Sequence, residues 1–187
     1  MGFPDRSECS CKACKVFCRV MPSFLVPEDL PSYMVTTGLD PDVIEQGVTI
    51  DTLMPWAKAN LMASDGSRCA IGGVVVTIPT LVPKSKRNGS CVHYWGGHCA
   101  IHAAAPFGCR MFSCDTDEKL ASKLSMSAAM RIRHVWDTLQ DDEEDLSMVE
   151  ALYASLWLEL NSSGCKRKRT TVSLRKRVER ELAKIRK

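Results

Sequence analysis

A small α+β domain is what the sequence predicts. It should be loop-rich, with a cysteine-ligated metal core, a short β-hairpin and two or three flanking helices. Three observations predict it. Eight of the ten cysteines fall in two tight groups, Cys9, Cys11, Cys14, Cys18 and Cys91, Cys99, Cys109, Cys114. The pair Gly96-Gly97, set between "CVHYW" and "HCAIH", is a two-residue hairpin signal. Two apolar stripes of helical period follow Cys114.

The elements follow in chain order. Residues 1–20 read as a cysteine-dense loop. Pro27 is placed to open a short helix, because its ring presets φ and its missing N–H is not needed in a first turn. Residues 40–64, with Gly47 and Pro55 as breaks, read as short helices and connecting loops. "AIGGVVVTIPTLVP" is β-branched and reads as a strand, and "KSKRNGS" as a polar turn. The hairpin then places Cys91 and Cys99 on adjacent antiparallel strands. Leu120, Leu124, Ala128, Ile132, Val135 and Leu139 recur at steps of three and four, the mark of an amphipathic helix. Met148, Leu152, Leu156 and Leu160 line a second helix that Gly164 should stop. The chain thus divides into a cysteine-cluster domain at 1–164, with a helical pair at 115–164, and a basic tail at 165–187.

Charge separates tail from body. Residues 166–187 hold eleven Lys and Arg against two Glu, +9, which leaves −6 on the rest of a chain whose net charge is +3. A basic tail on an acidic body is a partner signal. It points to an acidic protein surface or to nucleic acid, although the solvated helix is the simpler reading. The tail lacks aromatic residues for stacking, which argues against base-specific recognition. The apolar fraction of 45% suffices for a core. The start, "MGFPDRSECSCKACK", has no apolar segment of the export type. The longest apolar run contains Pro79 and Pro83 and is too short to span a bilayer. A cytoplasmic location and no membrane are therefore expected. In a thiol-reducing compartment, clustered cysteines point to metal rather than disulfides.

The chemistry explains the density. A tetrahedral zinc takes four N or S ligands, and a four-iron cluster takes about four thiolates. Close spacing keeps the loop-closure entropy of binding small. Cys11-x2-Cys14 is a two-ligand clip suited to either. In the second group the hairpin should gather Cys91 and Cys99, while Pro106 and Gly108 turn the chain back toward Cys109.

The second segment, "CVHYWGGHCAIHAAAPFGCRMFSC", resembles the YkgJ-like cysteine-cluster family of zinc- or iron-chelating domains. Cys91, Gly97, Cys99, Ile101, His102, Pro106, Cys109, Arg110, Phe112 and Cys114 fall on its pattern C-x-h-x-x-x-G-x-C-x-I-[YH]-x-x-x-P-x-x-C-R-x-[FY]-x-C. At the N-terminus Cys11, Cys14 and Cys18 match the family's first cluster. Phe17 stands where that cluster has the first cysteine of a doublet, and Cys9 is an alternative thiol. The resemblance covers about residues 9–115. It implies a zinc ion or an iron–sulfur cluster of the [4Fe–4S] type, bound by Cys11, Cys14 and Cys18 on one side and Cys91, Cys99, Cys109 and Cys114 on the other. Seven thiolates exceed one four-coordinate ion, so either two ions bind or some thiols are buried. A similar segment in flagellin lysine methylases leaves an enzyme or accessory subunit with redox or protein-modifying chemistry as an alternative. A nucleic-acid-binding accessory protein acting through the tail is another.

The remaining candidates rank lower. His93 shares a face with Cys91, and His98 opposes Cys99 by strand alternation. His102 sits where the family accepts Tyr, so a packing role or a hydrogen bond to a ligand fits the histidines better than ligation. His134 reads as a helix-surface residue. Arg110 has two equal readings: a hydrogen bond donor to a cluster sulfur or bound anion, or the partner of a core carboxylate such as Asp29. A Cys99–His102 catalytic pair is the weaker use of these thiols. The run "DDEED" reads as a solvated turn and helix start.

Overall fold

The structure is a computed structural model and describes residues 12–20, 22–40, 42–45, 49–71, 74–111, 118–140 and 146–167. It is the α+β fold expected, with helices around small antiparallel sheets. Helix α1 spans Lys12–Val20. It corrects the reading of residues 1–20 as a loop: Val16 and Val20, four apart, are both buried, and that apolar spacing sustains a helix.

A 3-10 turn at Pro27–Asp29 leads into α2, Leu30–Thr36, with Pro27 at the opening position as expected. Helix α3 is Asp42–Glu45 and α4 is Ile50–Asn60. Contrary to the expected break, α4 runs through Pro55. The carbonyl it leaves without its helical partner is that of Asp51, an exposed residue. Leu53, Met54 and Ala57 meanwhile bury the inner face.

Strands β1, Leu61–Ile71, and β2, Val74–Pro83, form a hairpin of which the sequence predicts only the second arm. "LMASDGSRCAI" lacks a β-branched run, so packing and pairing rather than propensity make it a strand. The register slips between Ser64 and Ser67. Gly66 sits at this bulge with φ +99°, and a Cβ there would lie 1.3 Å from the Ile78 carbonyl oxygen. Only glycine fits.

The predicted Gly-Gly hairpin forms. Strands β3, Tyr94–Trp95, and β4, His98–Cys99, pair Tyr94 with Cys99 and Trp95 with His98. Gly96 and Gly97 take φ +53° and +83°, the positive pair that a tight turn of this length requires. One detail differs from expectation: Cys91 precedes β3 and bridges to Ser85 instead. Helix α5 follows at Phe107–Arg110.

Helices α6, Glu118–Gln140, and α7, Met148–Ser162, are the predicted pair. On α6 the stripe is buried through Leu124, Ala128, Ile132 and Val135, but its ends Leu120 and Leu139 are exposed. On α7 Leu156 and Leu160 are buried as expected, while Met148 is exposed and Tyr153 and Ala154 take the inner face. Ser147 caps α7 reciprocally with Glu150, and Gly164 ends it at φ +73°. The "DDEED" run lies outside the described residues.

Tyr153 joins three layers. Fully buried on α7, it accepts from the Leu81 amide of β2 and donates to the Leu25 carbonyl, each at 2.9 Å. Leu25 N–H in turn donates to Leu81 O. The segment before α2 is thereby fastened beside β2. Trp136 and Trp157, edge to face at 5.2 Å, donate to Pro79 O and Ser64 O and tie α6 and α7 to the hairpin.

The tail begins inside the fold. Lys166 makes a parallel bridge to Ala63, and the Arg167 guanidinium donates to Pro22 O. The rest of the basic tail, residues 168–187, where a solvated helix is the simpler reading, lies outside the described residues. Among the described residues no helix is long and apolar enough to cross a membrane.

Candidate metal centre

Four segments separated in sequence place four cysteines in one neighbourhood, with Cys18 hydrogen-bonded to Cys99 and within electrostatic reach of Cys91 and Cys109. Cys18 lies in the last turn of α1, and its carbonyl accepts from the Cys91 amide at 2.9 Å. That bond docks α1 on the loop before β3. Cys91 is itself held by the turn around Asn88, through Lys86 N–H to Ser90 O and Val92 N–H to Lys84 O. Cys99 comes from β4 and Cys109 from α5.

The Cys18 and Cys99 thiols are hydrogen-bonded to each other, and Cys18 feels the charges of Cys109, Cys99 and Cys91. That contact, then burial, then the neighbouring thiols push its pKa far up. Burial raises Cys91 to about 11, with Cys99 adding to the rise and the His93 amide and Lys86 opposing it. Both thiols are therefore protonated at neutral pH, since a second negative charge beside the first is unfavourable in a buried site. A soft cation reverses that balance, because it favours the thiolate outright.

Around the thiols stands a shell that spacing alone could not reveal. The Tyr33 hydroxyl of α2 is buried beside Cys91, Cys109 and Cys99, and burial together with those thiols raises its pKa. It lies 2.7 Å from His93 Nε2 and 3.0 Å from Asn60 O. Burial, then Lys86, lowers His93 to about 4, so the imidazole is neutral. A consistent arrangement has Tyr33 donating to Asn60 O and His93 Nε2–H donating to Tyr33. Lys86 donates to Tyr94 O at 2.6 Å and stands 3.8 Å from the Trp95 ring centroid. It places one positive charge near Cys91.

Arg110 resolves in favour of its carboxylate reading. Its Nη2 is 2.5 Å from Asp29 Oδ1. Burial raises the Asp29 carboxyl, and the amides of Phe107 and Val26 and the Arg110 charge act against that rise.

The other sequence candidates divide. Cys11 and Cys114 lie outside the described residues, as does the Cys14 side chain, although Cys14 lies in α1 one turn before Cys18. Cys9 and Phe112 also lie outside. His98 and His134 are exposed and His102 is half-buried, while His93 is buried against the Tyr33 hydroxyl. Cys165 bonds to Leu61 O at 3.5 Å and packs on the core. Cys18, Cys91, Cys99, Cys109 and Cys165 are thiols, not disulfide-bonded.

Among the described residues no group of three or more His, Cys, Asp or Glu side chains has the arrangement that could hold a metal ion as it stands. The thiols approach one another without closing a coordination sphere. The residue types are those a thiophilic metal takes, four sulfur donors with the neutral His93 imidazole and Lys86 near them. Comparison with known proteins finds no matching family model, no matching curated protein and no matching solved structure.

Proposed function

We propose that this protein binds a thiophilic metal, either a zinc ion or a [4Fe–4S]-type cluster, through Cys18, Cys91, Cys99 and Cys109. Cys11, Cys14 and Cys114 are the further thiols that the YkgJ-like pattern would add. The convergence of four thiols from α1, the Cys91 loop, β4 and α5 carries the reading. A reducing compartment such as the cytoplasm suits it, because the described cysteines are thiols. Bound zinc would be held by four thiolates and tie those elements together. An iron–sulfur cluster would use the same thiolates and add electron transfer.

Proton release tests it. Cys18 and Cys91, raised by burial and neighbouring thiols, are protonated before metal arrives, and metal binds every thiol ligand as the thiolate. Each ligand must therefore expel a proton, and affinity rises with pH. Zinc added to metal-free protein near pH 7 should release about four protons per ion, one per thiol. Calorimetry in buffers of different ionisation heat reads that number. Release near zero, or no heat of binding in protein that also takes up no iron and sulfide on anaerobic reconstitution, would overturn the proposal.

A further inference from the structure

The helix that carries Cys109 has little means of holding itself. Helix α5 is four residues long, and Pro106 before it offers no side-chain cap. Isolated helices of such length are unstable in water, so its position is set from outside.

One carboxylate grips it at both ends. Asp29 is 4% exposed. Its Oδ2 accepts from the Phe107 amide, the first of α5, at 2.6 Å, and from the Val26 amide at 3.1 Å. Its Oδ1 accepts from Arg110 Nη2 at the last position of α5, at 2.5 Å. Cys109 lies between the two grips. Asp29 thus does for α5 what a local capping side chain does elsewhere, from 78 residues away.

Asp29 is also fixed from behind. It closes the 3-10 turn and precedes α2, whose Tyr33 reaches the thiols. The segment Pro27–Thr36 therefore presents two devices to one place, a hydroxyl beside the sulfurs and a carboxylate holding the element that delivers one of them.

We propose that Asp29 is a positioning residue for the metal centre: it holds α5 so that Cys109 meets Cys18, Cys91 and Cys99. The metal consequence rests on the function proposed above, whereas the placement of Cys109 does not. Arg110 has a matching part, because its charge offsets the buried carboxylate while its side chain fastens the far end of α5.

Asp29→Asn keeps the shape and removes the charge, and an amide cannot accept on both sides as the carboxylate does. Two readouts decide. In metal-free protein, alkylation of Cys109 by iodoacetamide, followed by mass spectrometry, should speed up several-fold in Asp29→Asn, with Cys165 unchanged as the internal reference. With metal, zinc affinity should fall by about 10–100-fold, the range seen when a group supporting a ligand is lost. That fall should vanish in a Cys109→Ser background and persist in a Cys91→Ser background, a coupling that general destabilisation does not produce.

If Asp29→Asn does not fold, Arg110→Gln, which frees only one end of α5, takes the same measurements. Unchanged Cys109 alkylation overturns the positioning role. Equal loss of affinity in the two serine backgrounds overturns it as well. Wild-type protein that takes up neither zinc nor, on anaerobic reconstitution, iron with sulfide, with Cys109 alkylation still faster in the variant, overturns the metal reading alone.

Discussion

Cys99→Ser should weaken zinc binding by more than about 100-fold, beyond the usual cost of losing a supporting group rather than a ligand. Cys99 is the thiol that Cys18 touches, and it also acts on Cys91 and Tyr33. Serine offers a hydroxyl of similar shape but no thiolate, so the sphere around a soft metal is left one donor short. The fold of the metal-free protein should change little, because Cys99 is only half-buried and its strand is held by the Gly96-Gly97 turn. Competition against a chromophoric chelator measures the loss. Cys165→Ser is the matched control and should bind zinc as the wild type does, since the Cys165 thiol meets Leu61 O rather than the cluster. Equal affinities for Cys99→Ser and wild type would remove Cys99 from the site.

Gly108→Ala should damage fold and site together. An added Cβ would lie 2.2 Å from Ser23 Oγ and 2.9 Å from the Phe24 amide nitrogen. The serine hydroxyl can turn aside, but the Phe24 backbone cannot. Helix α5 must then withdraw and stretch or lose the 3.1 Å bond from Gly108 N–H to Phe24 O. Overpacking of this kind costs about 1–3 kcal/mol. Denaturant unfolding of metal-free protein should show that loss, and zinc affinity should fall with it because Cys109 moves. Gly108→Ala combined with Ser23→Ala should recover only part, because the backbone contact remains. Wild-type stability in Gly108→Ala would mean that α5 is not held as closely as the structure describes.

These two residues show what was legible in the sequence. Cys99 stood out by type and spacing, and the Gly-Gly turn beside it could be read because two consecutive positive φ values leave few residue choices. Gly108 was read as a turn residue, whereas its importance is the approach of a chain segment 84 positions earlier, which no local pattern encodes. The same limit hid Tyr33, whose partner His93 is 60 residues away. It also hid β1, because "ASDGSR" has turn-like composition and is made a strand by its pairing with β2.

The helical pair was legible because a 3.6-residue period is written locally, and its errors fell at the ends. Leu120, Leu139 and Met148 continue the stripes beyond the point where a packing partner exists. Helix α1 was missed for a related reason: cysteine spacing drew the reading toward a metal-binding loop, while Val16 and Val20 supplied the helical signal. For Arg110 the sequence offered two partners of equal merit. The fold chose Asp29 by placing the 3-10 turn against the start of α5.

The claim that most needs testing is that these thiols are gathered for metal. Elemental analysis of protein purified without oxygen and without added metal tests it most directly, together with the same analysis of the variant carrying serine at positions 18, 91, 99 and 109. About one zinc per chain in colourless protein, or about four irons with sulfide in brown protein, is the predicted result, lost in the serine variant. Metal well below one equivalent in the wild type, or content that the four substitutions leave unchanged, would contradict it.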